Sequence, residues 1–297
     1  MTKRSLSDGT AGKLTSAPVS VLIYGKDGIG KSSFPPEGTI FQDVEGSTKE
    51  LDVARLPEAE TYQDVLDNIE LLENEKHAFK HYALDTLDWL EPMIWKQVVR
   101  NRPPKDGNSI EDYGYNKGYT YAVDEWRAFL ARLELMQRRT GMNVIMTAHG
   151  AIRTFENPEG ENYDRYDLKL HKSVLGLVGE WPGAVLFATY ESLVSKKKDD
   201  KKGKAVGDGT RVVYTQERPA FRAKNRYGLP FEMDLSWDTF WRYARGDLAE
   251  TAEQVANRII EAYPGNDKIA KKVTEFTGNI RKLRAFENHL QQKANSK

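Results

Sequence analysis

Short apolar runs alternate with amphipathic stretches over most of the chain. The apolar runs are rich in Val, Ile, Leu and Ala, have the length of buried strands, and lie at residues 19–24, 39–44, 81–84, 143–148 and 184–190. Between them, apolar side chains at helical spacing predict helices at residues 62–74, 89–99, 119–139 and 168–181. Strands that alternate with helices predict an α/β fold with a mostly parallel central sheet flanked by helices.

The pattern becomes helical beyond about residue 246. Helices are predicted at residues 251–263 and 267–293, and the second carries one apolar stripe formed by Ile269, Val273, Phe276, Ile280 and Leu283. The stripe either packs within its own domain or contacts a protein partner or a second copy. We therefore divide the chain into a flexible tail at residues 1–18, an α/β core at 19–245 and a C-terminal helical appendage at 246–297.

Two long polar loops are predicted at residues 101–118 and 150–167, and a charged hairpin tip at 195–210. The two loops and their flanks combine cations with aromatic rings, although both also contain acids: Arg100, Arg102, Lys105, Tyr113, Tyr115, Lys117, Arg153, Phe155, Tyr163 and Arg165. Proteins that bind single strands use cations for phosphates and rings to stack bases. Both loops are therefore candidates for contact with single-stranded DNA.

Composition narrows the class of protein. Hydrophobic residues make up 39% of the 297 residues and charged residues 30%, which is typical of a soluble globular protein. No apolar run has the length of a membrane span, and residues 1–18 lack the apolar stretch of a signal peptide, so we expect a cytoplasmic protein without membrane contact. There is no cysteine, which excludes disulfides and thiolate chemistry. Because 44 Lys and Arg balance 44 Asp and Glu, any nucleic-acid binding must come from local loops.

A glycine-rich motif follows the first predicted strand. It fits the P-loop pattern G-x-x-x-x-G-K-[ST], which cradles the phosphates of a nucleoside triphosphate with backbone N–H groups. The candidate nucleotide-binding residues are Gly25, Lys26, Asp27, Gly28, Ile29, Gly30, Lys31, Ser32 and Ser33. Lys31 is expected to reach the β- and γ-phosphates, and the Ser32 hydroxyl to ligate Mg²⁺. Pro35 and Pro36 should end the following helix within about one turn.

A carboxylate for the Mg²⁺ site is expected one strand away. Asp85 ends the apolar run at 81–84 and is our candidate, with Asp88 and Glu91 as nearby alternatives at the start of the next helix. Asp85 as a simple helix cap is the competing interpretation.

These motifs, in this order, resemble the RecA-like recombinase core, and in particular the phage ATP-binding proteins described as single-strand-annealing or recombinase-like. The resemblance covers roughly residues 20–236 and implies a RecA-like P-loop ATPase that uses ATP and Mg²⁺. It implies that Glu45, in Asp43-Val44-Glu45, is the catalytic base and that His149 is the γ-phosphate sensor. It also implies that Lys224 and Arg226 reach the nucleotide of a neighbouring subunit in a ring or filament.

The function implied by the resemblance is ATP hydrolysis coupled to single-stranded DNA in phage recombination or annealing. A nucleotide-gated scaffold that binds a protein partner through its C-terminal helices is the first alternative. A small-molecule kinase is the second, although the sequence contains no compact arginine-rich lid. The choice of ATP over GTP depends on the resemblance alone.

Overall fold

The structure, a computed structural model, describes residues 17–191, 193–195, 204–206, 209–247, 252–276 and 279–295. The tail predicted at residues 1–18 lies almost entirely outside them, as does most of the charged segment at 195–210. The chain divides into two compact units, one ending at Arg245 and one beginning at Gly246. No helix in the described part of the chain has the length and apolar character needed to cross a membrane.

The first unit is built on a ten-stranded sheet, with strand order β12-β10-β7-β1-β5-β4-β2-β3 and with β6 and β11 paired to β5 and β7. A two-stranded ribbon is formed by β8 and β9. The strands are β1 Ser20–Gly25, β2 Thr39–Asp43, β3 Ala54–Arg55, β4 His81–Asp85, β5 Asn143–Phe155, β6 Tyr163–Leu168, β7 Ala184–Tyr190, β8 Leu193–Ser195, β9 Lys204–Val206, β10 Arg211–Tyr214, β11 Lys224–Asn225 and β12 Glu232–Asp234. The six strands from β7 to β3 along this order are parallel, which confirms the predicted α/β fold.

Helices cover both faces of the sheet. They are α1 Tyr62–Asn74, α2 Leu87–Asn101, α3 Lys117–Thr140, α4 Leu175–Glu180 and α5 Trp237–Arg245. One core cluster packs α1, α2 and α3 against the sheet through residues such as Val65, Leu90 and Trp126, and the other packs α5 through Phe240 against Phe34 and neighbouring strands. Because β1 is covered on both faces, its sequence is apolar without alternation. The predicted strands and the helix at 62–74 are confirmed within one or two residues, apart from the strand predicted at 143–148.

Two predictions in the middle of the chain are wrong. The segment predicted as a polar loop at 150–167 is mostly a β-hairpin, because β5 continues to Phe155 and pairs antiparallel with β6. The helix predicted at 168–181 is limited to α4, and its first residue, Leu168, belongs to β6. The loop predicted at 101–118 is confirmed only in part, since it contains two short 3-10 helices, Ile110–Asp112 and Gly114–Asn116.

The second unit contains α6 Ala252–Ala262, α7 Asp267–Glu275 and α8 Ile280–Asn295. The single helix predicted at 267–293 is therefore wrong, since it is two helices. Three residues of the predicted stripe, Ile269, Val273 and Leu283, are buried together with Val255 and Ile259 of α6. These three residues of the stripe thus pack within their own unit and are not available on its surface for a protein partner.

Candidate nucleotide site

The carboxyl edge of the parallel sheet brings the predicted site residues together. Gly25 ends β1 and lies in register with His149 of β5 on one side and Ala188 of β7 on the other. Asp85 ends β4 in register with Asp43 of β2. Parallel strands place their carboxyl ends at one edge, so residues far apart in the chain meet around the loop that follows β1.

The loop after β1 has the backbone expected of a phosphate cradle. Gly28 and Gly30 have φ of 71° and 103°, in the left-handed region that favours glycine. Ile29 between them is buried and anchors the loop, while Lys26 and Asp27 are exposed. The following helix is a 3-10 turn over Lys31–Ser33, so the short helix expected before the two prolines is confirmed.

Gly25 is required for a different reason, which is close packing against β7. A Cβ built on Gly25 would collide with the carbonyl oxygen of Ala188. We expect Gly25→Ala to lower the free energy of unfolding by about 1–3 kcal/mol, because backbone rather than a flexible side chain must move. Urea unfolding measures this, with Gly114→Ala as the control, since a Cβ at Gly114 meets no atom within 4 Å. Equal stability of Gly25→Ala and the wild type would contradict the packing argument.

Lys31 is buried at the floor of the cleft and its ammonium donates a hydrogen bond to the Lys26 carbonyl oxygen, 3.1 Å away. Burial lowers the pKa of Lys31, and the nearby carboxylates of Asp85, Asp27 and Glu45 oppose this change. The ammonium group of Lys31 therefore lies near several carboxylates. A phosphate bound at the loop would accept further hydrogen bonds from this ammonium group.

Asp85 is fully buried and accepts hydrogen bonds from three hydroxyl groups. Its Oδ2 accepts from Ser32 Oγ at 2.6 Å and from Ser47 Oγ at 2.8 Å, and its Oδ1 accepts from Thr147. Asp85 therefore faces the P-loop serine, as predicted, and does not cap α2 with its side chain. Ser47 and Thr147 are contacts that we did not predict, because they depend on the register of three separate segments.

The oxygen donors around Asp85 fit Mg²⁺. This ion prefers oxygen ligands, retains several waters, and is held in nucleotide sites by one or two carboxylates together with phosphates. Ser32 and Asp85 offer a hydroxyl and a carboxylate in contact with each other. Among the residues that the structure describes, no cluster of three or more His, Cys, Asp or Glu side chains forms a metal site, so an ion here would need phosphate and water oxygens as well.

Glu45 and His149 meet beside the P-loop. The Nε2 atom of His149 lies 3.7 Å from Glu45 Oε1 and 3.3 Å from Asp27 Oδ1. Burial raises the pKa of the Glu45 carboxyl, and His149 opposes that rise. A raised pKa makes a carboxylate a stronger base, which suits proton abstraction from water.

Asp88 holds His149 from the opposite side of the ring. It accepts hydrogen bonds from the His149 backbone N–H at 2.9 Å and lies 2.8 Å from the ring Nδ1. Two contacts from one carboxylate fix the ring so that Nε2 points to Glu45 and Asp27. From the sequence alone, Asp88 is only an alternative metal ligand. Its position in the first turn of α2 can be predicted, but its contact with His149 of β5 cannot. The other alternative, Glu91, instead accepts the backbone N–H of His171.

The pairing with Asp88 has a consequence for pH. The hydrogen bond that the His149 ring donates to Asp88 raises the pKa of His149, so protonated His149 stabilises the fold at low pH, and this contribution is lost as pH rises through the folded pKa. We expect Asp88→Asn to lower the His149 pKa and to remove that part of the pH dependence, although Lys31, Asp27 and Glu45 still lie near the ring and Lys169 lies near residue 88.

The titration can be followed by NMR of the five histidines, with His149 assigned by its loss in His149→Gln. Asp124→Asn is the control, because Asp124 lies exposed on α3 and pairs only with Arg127. An unchanged His149 titration in Asp88→Asn would show that the Asp88 contact does not set the proton affinity of the ring.

Lys224 and Arg226 are not brought to the P-loop of their own chain. Lys224 pairs with Val185, at the amino end of β7, whereas the P-loop lies beside its carboxyl end. The Lys224 ammonium donates to the carbonyl oxygens of Gly179, Glu180 and Pro182, and burial lowers its pKa to about 8. To act on the nucleotide of a neighbouring subunit, Lys224 would have to leave these three partners.

The two candidate DNA segments differ in how accessible their side chains are. In the hairpin, Arg165 pairs with Asp167 and Glu217 and lies 4.4 Å above the Phe155 ring, and Arg153 donates to two carbonyl oxygens. These cations already have partners. In the first segment Arg102 lies over the Tyr121 ring, but Tyr115 is 99% exposed. Tyr115 is thus the clearest free aromatic ring of the ten residues.

The cleft beside the P-loop has a volume of about 350 Å³. The residues described above share this lining with Thr86, Trp89 and Lys169. Trp89 and Lys169 are both at least half exposed, and we did not predict them. The cleft thus combines an exposed aromatic ring and a cation at its mouth with carboxylates, Lys31 and hydroxyls at its floor.

Comparisons with known proteins give a family for the first unit of the chain. The family described as "AAA domain" matches residues 17–227, which include β1, the P-loop, Asp85 and His149. A solved structure described as "Crystal structure of the RadB recombinase" is 13% identical, with 67% of this chain and 80% of that chain covered and a TM-score of 0.34. A likeness at this level carries no information on what the chain binds. No curated protein matches the chain.

Proposed function

Because the chain belongs to the AAA domain family, we propose that it is a Mg²⁺-dependent ATPase that hydrolyses ATP in the cleft between the P-loop, β4 and β5. The observation that supports this most directly is the meeting of Glu45 and His149, with Nε2 and Oε1 3.7 Å apart, beside a P-loop whose Lys31 is buried among carboxylates. A P-loop alone binds phosphate, whereas hydrolysis needs a base and a group that responds to the γ-phosphate.

Phosphate binding, Mg²⁺ binding and proton transfer are assigned to different residues. The backbone N–H groups of the loop from Gly25 to Ser33 and the Lys31 ammonium hold the phosphates. Ser32 and Asp85 would hold Mg²⁺, which supplies charge neutralisation at the β- and γ-phosphates when it is bound. Glu45 accepts a proton from the attacking water while the water oxygen bonds to the γ-phosphorus and the bond to the β-phosphate oxygen breaks. The products are ADP and inorganic phosphate.

His149 is the group that we propose to respond to the γ-phosphate. Its Nε2 is turned toward Asp27 and Glu45, and Asp88 prevents the ring from rotating away. A phosphate oxygen that arrives at Nε2 competes with these two carboxylates for the same proton. Binding of ATP and loss of phosphate would therefore change the contacts of His149, and with them the start of the β5–β6 hairpin.

We extend the proposal to single-stranded DNA, with self-association into a ring or filament and a role in phage recombination or annealing. Two observations support coupling to DNA. The strand that carries His149 continues without interruption into the hairpin, and Tyr115 presents an exposed ring that could stack on a base. The partnered cations of the hairpin oppose it.

The experiment is ATP hydrolysis by the full chain with and without single-stranded DNA across a salt series. We expect stimulation that decreases as salt rises, because phosphate contacts release counterions. Tyr115→Ala should weaken the stimulation and leave the rate without DNA unchanged. Equal rates with and without DNA would contradict DNA coupling, and no ATP turnover in any condition would contradict the ATPase itself.

A further inference from the structure

An arginine lies against the P-loop on the side away from Glu45 and His149. A Cβ built on Gly30 would lie 2.6 Å from Nη1 of Arg211 and 3.1 Å from Cδ2 of Leu235. The guanidinium of Arg211 therefore rests on the Cα of Gly30, the residue immediately before Lys31. The backbone of Gly30 has φ of 103°, so its conformation favours glycine, whereas the flexible Arg211 side chain could move away from a Cβ.

In the part of the chain that the structure describes, no carboxylate pairs with Arg211. The residue is exposed, at the first position of β10, and no hydrogen bond or ion pair of its side chain occurs among the residues that the structure describes. In contrast, Arg165 and Arg222 of the same unit are both paired with Asp167. A guanidinium that touches a phosphate-binding loop without a carboxylate partner is suited to accept an anion there.

Tyr190 contacts the loop from the same side. It pairs with Arg211 across β7 and β10, and its hydroxyl lies 3.4 Å from the carbonyl oxygen of Gly28. Since Gly25 is in register with Ala188, Tyr190 lies two residues beyond the end of β1 and so beside the loop itself. Arg211 and Tyr190 therefore both contact the P-loop from the side of β7 and β10.

The strand order indicates which part of a nucleotide would lie near Arg211 and Tyr190. Asp85 and His149 lie on β4 and β5, on one side of β1, and Glu45 follows β2 farther along that side, whereas β7 and β10 lie on the other side. The γ-phosphate must lie near Glu45 if the proposed function holds. The nucleoside end then extends toward β7 and β10.

We propose that Arg211 binds the α- and β-phosphates of the nucleotide in its own subunit, with Tyr190 beside it near the ribose. This inference rests on the proposed nucleotide site. Arg211 is a binding residue and takes no part in proton transfer, so its contribution is the same for ADP and ATP. A charge-assisted contact of this kind corresponds to about a 10- to 100-fold change in Kd.

The test is calorimetric titration of the full chain with Mg-ADP and with Mg-ATPγS, a slowly hydrolysed ATP analogue. We expect Arg211→Ala to raise the Kd of both nucleotides by the same factor, about 10- to 100-fold, and Arg211→Lys to raise it less. At ATP concentrations below the KM of the wild type, turnover should fall by a similar factor. Arg138→Ala is the matched control. The Arg138 side chain lies on α3, is 71% exposed and, among the described residues, pairs with Glu134.

Other outcomes overturn the assignment. Unchanged Kd values in Arg211→Ala, with or without a lower melting temperature, would mean that Arg211 only covers Gly30. A larger loss for Mg-ATPγS than for Mg-ADP would place Arg211 at the γ-phosphate. If the wild type binds neither nucleotide, the proposed nucleotide site itself is wrong, and the two failures are thereby distinguished.

Discussion

Replacing Glu45 with glutamine should reduce ATP turnover by about 10²- to 10⁴-fold and leave nucleotide affinity nearly unchanged. The loss follows from the absence of a base, which is typically worth that factor in rate. Glutamine keeps the size and one oxygen of glutamate but cannot accept the proton from water. Affinity is preserved because Glu45 is not in the phosphate cradle, and removing its negative charge beside the γ-phosphate position does not oppose binding.

The measurement is steady-state ATP hydrolysis together with Kd for Mg-ATP. Glu37→Gln is the matched control, since Glu37 is exposed just before β2, at the opposite edge of the sheet from the cleft. Turnover by Glu45→Gln equal to that of the wild type would remove Glu45 from the mechanism, and Asp27 would then be the next carboxylate to test, because it also faces His149.

Removing the Lys31 ammonium should abolish both nucleotide binding and hydrolysis. Lys31→Ala leaves Asp85, Asp27 and Glu45 around the cleft without the cation that opposes them. A triphosphate would then enter a negatively charged site, so we expect its Kd to rise by at least about 100-fold, from the lost charge-assisted contacts and the added repulsion.

Two further variants separate binding from folding. Lys31→Met keeps the length of the buried side chain without its charge. Because Asp85 keeps its three hydroxyl donors, we expect this variant to fold and still fail to bind. Lys26→Ala is the matched control, because the Lys26 side chain is exposed and only its carbonyl oxygen contacts Lys31. Normal Mg-ATP affinity in Lys31→Met would show that the P-loop holds phosphate without its lysine.

Sequence-based prediction succeeded where a feature is specified by residues that are close together in the chain. The P-loop could be recognised because its glycines, lysine and serine are neighbours in the chain and each has a separate chemical role. Asp85 followed from its position at the end of an apolar strand. The helix over Tyr62–Asn74 was found because its apolar residues recur at helical spacing, and in the structure a capping box of Thr61 and Asp64 fixes its start.

Sequence-based prediction failed where polar side chains fill buried positions or where a break is short. In the hairpin of β5 and β6 the buried positions include the charged residues Arg165 and Asp167, whereas the apolar Ile152 is 63% exposed, so apolar residues do not mark its buried face. The prediction of one helix at 267–293 overlooked Gly278-Asn279 in the sequence, a helix-stop signal that the continuous apolar stripe concealed.

The amino-acid sequence by itself determined that this protein has an α/β core with a P-loop, because burial and backbone conformation are specified by residues next to one another. Only the tertiary structure decided that Asp88 orients His149, that Thr147 and Ser47 contact Asp85, that Lys224 caps α4, and that Arg211 covers Gly30. Each of these contacts depends on the order and register of strands, which are set by packing of the whole sheet and not by any single segment.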